Sequence, residues 1–197
     1  FLAVDDPLFL VGGQAVNLWG LYYYEHTSEL MPFVSSDVDV LGDKRTLVAI
    51  AEKAGVKPQF FPIRPPTNEV GVVMAKDKNG LVLPIEVLSY LHGIKNEELM
   101  KPVYTINIGE TKTVVKVPGP IALLQAKIAN LVGIPQKGRQ DERHVLIILK
   151  LMPFYLSDVS NSVIKCKTEE REMLDLLEHL LSIITSEKGC EIFKDLN

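Results

Sequence analysis

Apolar and polar positions divide the chain into a strand-rich first part and a helical last part. Residues 8–11 are a short apolar run closed by Gly12-Gly13, which predicts a buried strand and a sharp turn. Over residues 14–25, Ala15, Leu18, Trp19 and Tyr22 recur at helical spacing, so a helix with one apolar face follows. Trp19 and the run Tyr22-Tyr23-Tyr24 are read as packing that helix onto a sheet. A loop over residues 26–35, broken by Pro32, leads to a second strand at 37–41. Asp43 caps a helix over 44–54, in which Leu47, Ile50, Ala51 and Ala54 share a face, and Gly55 ends it. A third strand is expected at 57–63, then a loop made irregular by Pro62, Pro65 and Pro66.

Two hairpins come next. Apolar runs at 70–75 and 81–89 are joined through Asn79-Gly80, a strong turn signal. Runs at 103–108 and 113–117 are split by Gly109-Glu110. Pro118-Gly119-Pro120 marks the change to helices. The pattern predicts a helix over 118–131, an almost wholly apolar one over 145–152, and an amphipathic one over 168–185. The last is expected to bury Met173, Leu176, Leu177, Leu180, Leu181 and Ile184. A short terminal helix follows Gly189. Strands and helices in this order give an α+β fold, a mixed β-sheet flanked by helices with a C-terminal helical segment.

Composition narrows the function classes. The chain has 197 residues, 47% of them hydrophobic, enough for a real core. Its net charge of −4 gives no global pull toward nucleic acid, so any such contact needs a local basic patch. Cys166 and Cys190 match no metal spacing, and a reduced, cytoplasmic location is expected. No run reads as long and apolar enough to span a membrane. The start at Phe1 instead of Met leads us to expect a preceding N-terminal segment. His26, His92 and His144 are not grouped as zinc ligands, and the chain has no Gly-x-Ser-x-Gly element, Walker loop or six-residue glycine fingerprint.

The chemistry is concentrated in two short stretches. Asp37 and Asp39 lie two apart on one strand and so project to the same face, while Val38 and Val40 point into the core. Adjacent carboxylates on one face of a buried strand repel one another unless a cation offsets them. Paired oxygen ligands suit Mg²⁺, which shares its shell with substrate phosphates. Gly12 and Gly13 let a phosphate approach the backbone closely, and the following helix start would offer free N–H groups. Glu86, between Ile85 and Val87 in the second strand of the first hairpin, needs a partner if buried, and the metal site is the natural one; a solvent-facing edge residue is the competing reading.

Gly12-Gly13 followed by Asp37-Val38-Asp39 resembles the signature of the polymerase-β-like nucleotidyltransferase superfamily. The long spacer between the two halves is most similar to AbiEii-like abortive-infection toxins and related small bacterial nucleotidyltransferases. The resemblance implies a nucleotidyltransferase-like core over 1–117 and a helical segment over 118–197 packed on it. It implies Asp37, Asp39 and Glu86 as catalytic, metal-holding carboxylates for two Mg²⁺ ions. Gly12, Gly13, Ser35, Ser36, Lys127 and Asp141 are then the nucleotide-binding residues. The family's Lys-Asp element stands here as Arg139-Gln140-Asp141 with His144 after it, and no basic residue occupies Pro32-Phe33-Val34 before the first aspartate. A helix–helix salt bridge is the competing reading of Lys127 and Asp141. The implied reaction moves a nucleoside monophosphate from a nucleoside triphosphate to an acceptor, which could be RNA, a small molecule or a protein. A toxin or phage-defence role with a cognate antitoxin belongs to the same resemblance. The alternative is a catalytically silent fold of this kind that binds a nucleotide or a partner.

Overall fold

The computed structural model describes residues 7–62, 64, 67–77, 79–108 and 113–195. Phe1, Pro65, Pro66, Lys78, Gly109 and Glu110, and the expected strand end at Ile63, lie outside the described residues. The architecture is α+β, with two mixed sheets flanked by helices. In one sheet β1 (Leu8–Phe9) runs parallel to β7 (Thr113–Pro118), which pairs antiparallel with β6 (Val103–Ile108). In the other, β2 (Val38–Leu41) runs parallel to β5 (Val82–Leu88), followed by antiparallel β4 (Glu69–Lys76) and β3 (Gln59–Phe60). Where the sequence suggests one sheet, the strands thus form two ladders. They meet at an antiparallel bridge between Leu10 and Val40, beside which the Val11 N–H donates to the Asp39 carbonyl at 2.9 Å. The cause is the brevity of β1. Two residues pair with β7, and only Leu10 and Val11 reach β2 before the chain turns at Gly12.

Helix α1 (Gly12–Tyr22) starts at the first glycine, two residues earlier than the apolar spacing indicated. It continues after Tyr23 into α2 (Tyr24–Thr27) and a 3-10 turn, Ser28–Leu30, inside what reads as a loop. Helix α3 (Lys44–Ala54) follows its sequence signals closely. Asp43 accepts from the backbone N–H groups of Arg45 and Thr46 at 2.9 and 3.0 Å, and Gly55 closes the helix at φ +65°. Asp43→Ala is therefore expected to cost about 1 kcal/mol, read as a lowered midpoint in thermal denaturation.

After the short α4 (Asn96–Leu99) and the second hairpin come α5 (Pro120–Gly133), α6 (Asp141–Ile164), α7 (Glu170–Thr185) and α8 (Glu187–Asp195). Helix α6 corrects two readings. It spans 24 residues and runs straight through Pro153, not ending at Met152. By length and composition it is also apolar enough to cross a membrane, so that expectation of the sequence does not hold. Its apolar face, with Val145, Ile147, Ile148, Leu151 and Tyr155, is buried in the core, packed largely against α1 and α5. On α7 the buried residues are Leu176 and Ile183, with Met173 and Leu180 half-buried. Leu177, Leu181 and Ile184, expected inside, are exposed. Leucines and isoleucines on both flanks of α7 make its apolar arc too wide for periodicity to pick the buried half. Cys166 and Cys190 are free thiols on the surface.

Candidate active site

The diglycine bend and the aspartate strand face each other. A Cβ built on Gly12 would lie 1.8 Å from Asp39 Oδ2, so only a glycine lets the backbone rest on that carboxylate. Gly12 also sits at φ +62°, where other residues are strained. The N-cap of α1, Val11, has no side chain able to cap the helix, which leaves first-turn N–H groups open beside the carboxylates. Gly13 abuts α6, and a Cβ there would come within 2.8 Å of the His144 ring.

Parallel pairing of β2 and β5 puts Asp39 level with Glu86, so the two side chains project to the same face. Asp37 is the residue just ahead of β2. All three line one cleft of about 490 Å³, together with Gly12, Gly13, Ser35, Ser36, Lys127 and Asp141. Every residue singled out in the sequence thus borders this cleft. Burial, with the charges of Asp37 and Glu86 close by, pushes the Asp39 carboxyl up to about 7; Lys127 and Arg139 oppose the rise. Burial, Asp37 and Glu69 likewise raise Glu86. Three carboxylates on one cleft, two of them with raised pKa values, form a site that gains from a cation.

Among the described residues, no three His, Cys, Asp or Glu side chains come close enough to hold one ion between them. A magnesium ion asks for less, since one or two carboxylates with phosphate and water oxygens complete its shell. The donor set fits that mode. Ser35 donates to Asp37 Oδ1 at 2.8 Å, so its hydroxyl is engaged by the carboxylate.

The opposite wall is cationic and internally paired. Lys127 Nζ donates to Asp141 Oδ1 at 2.7 Å, and Arg139 Nε donates to Asp141 Oδ2 at 2.6 Å. This is the helix-to-helix salt bridge anticipated as the competing reading, and it lies on the cleft. Burial raises the Asp141 carboxyl, but Lys127 and Arg139 outweigh it and hold it below the usual carboxylate value. Lys127→Met is expected to cost about 2 kcal/mol of stability, because buried Asp141 keeps only Arg139; urea denaturation measures it.

Three contributors escaped the sequence. His144 is 6% exposed, lines the cleft, and has no hydrogen-bond partner on either ring nitrogen among the described residues. Burial, chiefly, with Lys127 nearby, pushes its pKa down to about 4, so at neutral pH it presents one donor and one acceptor. Arg143 donates to the carbonyls of Leu30 and Pro32 and thereby fastens the loop that carries Ser35 and Ser36 onto α6. Glu69 adds a further carboxylate to the cleft. Each is a lone residue outside any spaced motif; only the His144 position, three after Asp141, hinted at a shared helix face.

Neither a protein-family model nor a curated protein sequence matches the chain. Among solved structures it is similar to the crystal structure of an antigenic nucleotidyltransferase-like protein from Paracoccidioides brasiliensis. The two share 16% identity over 87% of this chain and 84% of that one, with a TM-score of 0.43.

Proposed function

We propose that the protein is a magnesium-dependent nucleotidyltransferase, moving a nucleoside monophosphate from a nucleoside triphosphate to an acceptor hydroxyl or phosphate. The contact that carries this reading is Gly12 resting on the Asp39 carboxylate. It brings an open helix N-terminus, suited to phosphate, against side chains suited to a divalent ion. Asp37, Asp39 and Glu86 would hold two Mg²⁺ ions. Bound there, the metal would lower the pKa of the acceptor hydroxyl and offset charge on the departing pyrophosphate. The N–H groups of the Gly12-Gly13 turn would bind phosphate oxygens, joined by Ser36 and by Ser35 once it leaves Asp37. Lys127 and Arg139 add positive potential to the same wall, although Asp141 takes up part of it. The neutral His144 ring can donate to a phosphate or ribose oxygen beside Gly13.

A second reading, a silent fold that binds a nucleotide or partner, draws on the absence of a three-ligand metal cluster among the described residues. Calorimetric titration of nucleoside triphosphates with Mg²⁺, followed by a labelled-transfer assay against RNA, small hydroxyl acceptors and protein, separates the two. Transfer with pyrophosphate release supports the enzyme; tight binding without release supports the silent nucleotide-binding form; no binding overturns both of these and leaves only the partner-binding form. The AbiEii-like, toxin or phage-defence setting is proposed from the motif resemblance alone. Growth arrest on expression, relieved by a small protein encoded beside it, would support that setting.

A further inference from the structure

The sheet that begins with β1 ends in an open edge. Its strand order is β1-β7-β6, so β6 is paired on one side only. The phase of the ladder tells which groups are left over. The Gly119 N–H donates to the Pro102 carbonyl at 3.0 Å, so Tyr104, Ile106 and Ile108, at even steps from Pro102, turn their backbone groups toward β7. On the far side of β7 the Leu10 N–H donates to the Lys116 carbonyl at 2.8 Å, and Lys116 is level with Thr105, which gives the same phase. The N–H and C=O groups of Val103, Thr105 and Asn107 therefore point away from the sheet. They have no hydrogen-bond partner among the described residues, and Thr105 and Asn107 are exposed.

Natural sheets discourage pairing at an edge by shortness, charge, proline or a bulge. The edge strands β1 and β3 are two residues long. β6 has none of these protections. It runs six residues, Val-Tyr-Thr-Ile-Asn-Ile, without a charge, a proline or a shift in register.

A cavity of about 910 Å³ lies beside this edge and shares no residue with the phosphate cleft. Tyr104 and Ile106 line it from β6, Val159 from α6 and Leu176 from α7. Those two β6 side chains share one face of the sheet, which is the face onto which a further strand would direct every second side chain. Trp19 and Tyr155 border the cavity but are buried, so the strand edge, not the rings, is what an occupant can hold. The rim is acidic, with Glu98, Asp158, Glu172 and Asp175 against the single amine of Lys101. Arg171 engages Asp175 at 2.8 Å, whereas exposed Glu172 has no ion-pair partner among the described residues. Burial raises the pKa of the Tyr104 hydroxyl and the Glu172 charge adds to the rise, which places that carboxylate near the β6 face. A second copy of the chain would bring an uncharged β6 and another acidic α7 to this rim, so charge favours a basic guest over self-pairing.

We propose that the β6 edge captures an extended basic segment of a partner protein, which adds to the sheet as a fourth strand and directs alternate Lys or Arg side chains toward Glu172. Backbone hydrogen bonds to Val103, Thr105 and Asn107 hold the segment, and the acidic rim selects its charge. The inference does not rest on nucleotidyl transfer, and either can fail without the other.

Fluorescence anisotropy with the full chain tests it. The probe is a labelled peptide alternating lysine and valine, beside one alternating glutamate and valine and a lysine peptide N-methylated at every second amide. Saturable binding is expected for the first peptide and none for the glutamate peptide; N-methylation should weaken binding at least about tenfold, because it removes the donors that meet β6. Thr105→Pro removes an outward N–H that makes no ladder bond, so the fold should survive, as thermal denaturation verifies, and binding should weaken about tenfold. Glu172→Gln, on an exposed side chain, should weaken it about threefold without touching the strand. Absence of saturable binding by the lysine peptide overturns the proposal. So does equal binding of the N-methylated peptide, or binding unchanged in both variants. Sedimentation of the wild type as a dimer that Thr105→Pro dissociates would also overturn it, by giving the edge to a second copy.

Discussion

Asp39→Asn is expected to abolish nucleotidyl transfer while making the metal-free protein more stable at pH 8. The activity loss should reach at least about a thousandfold, since metal-assisted charge stabilisation supplies several kcal/mol to such reactions. The stability gain follows from linkage. The folded state raises the Asp39 carboxyl from 3.8 to about 7, through burial first and then the charges of Asp37 and Glu86. Folded protein therefore holds this proton more tightly than unfolded chain. The site costs nothing below about pH 4. The penalty builds as pH rises toward 7 and reaches up to about 4 kcal/mol above that. Asparagine cannot ionise, so the variant should show a flatter stability profile between pH 4 and 8. Thermal denaturation across that range tests it, with and without Mg²⁺. Magnesium should restore the wild type at pH 8 and do little for the variant. Parallel profiles in the two proteins, or retained transfer in the variant, would remove Asp39 from the metal site.

Gly12→Ala is expected to destabilise the fold by about 3 kcal/mol and to end activity with it. The backbone part is the left-handed conformation at φ +62°, worth about 1–2 kcal/mol against alanine. The remainder is steric. The new methyl would stand 1.8 Å from Asp39 Oδ2 and 2.6 Å from its Cγ, so the carboxylate must swing out of place. A double-mutant cycle separates the two parts. In an Asp39→Ala background the Gly12→Ala cost should fall by about 1 kcal/mol, because the carboxylate is gone and the strained φ remains. Strict additivity would mean that the bend and the aspartate do not touch. Gly55→Ala provides a control for the conformational part, since it sits at φ +65° with nothing within 4 Å of an added Cβ.

What the sequence disclosed depended on how local each cause was. The caps of α3 and the β4–β5 hairpin were legible because Asp43, Gly55 and Asn79-Gly80 act within a few residues of themselves. The face shared by Asp39 and Glu86 was nearly as accessible. An aspartate pair on one strand and a lone glutamate inside another both ask for a cation, and parallel pairing supplied the meeting. Sheet division was not accessible, because nothing in the alternation of residues 8–11 says that Leu10 alone will cross to Val40. Helix α6 passed through Pro153 because burial of Ile148, Leu151 and Tyr155 outweighs one missing N–H and the ring's crowding. Lys127 and Asp141 could be paired on paper, but whether that pair faced the cleft depended on how α5 and α6 cross. His144 and Arg143 draw their roles wholly from what lies opposite them.

The Arg143 strap bears on the order in which the protein matures. The strand segments with their carboxylates, and the glycine bend, leave the ribosome first. The backbone ahead of Ser35 is tied to α6 by a guanidinium that arrives 111 to 113 residues later, and by the Lys150–Glu29 ion pair. A nascent chain would thus gain these ties on the segment that leads to Ser35 only when α6 has emerged and docked.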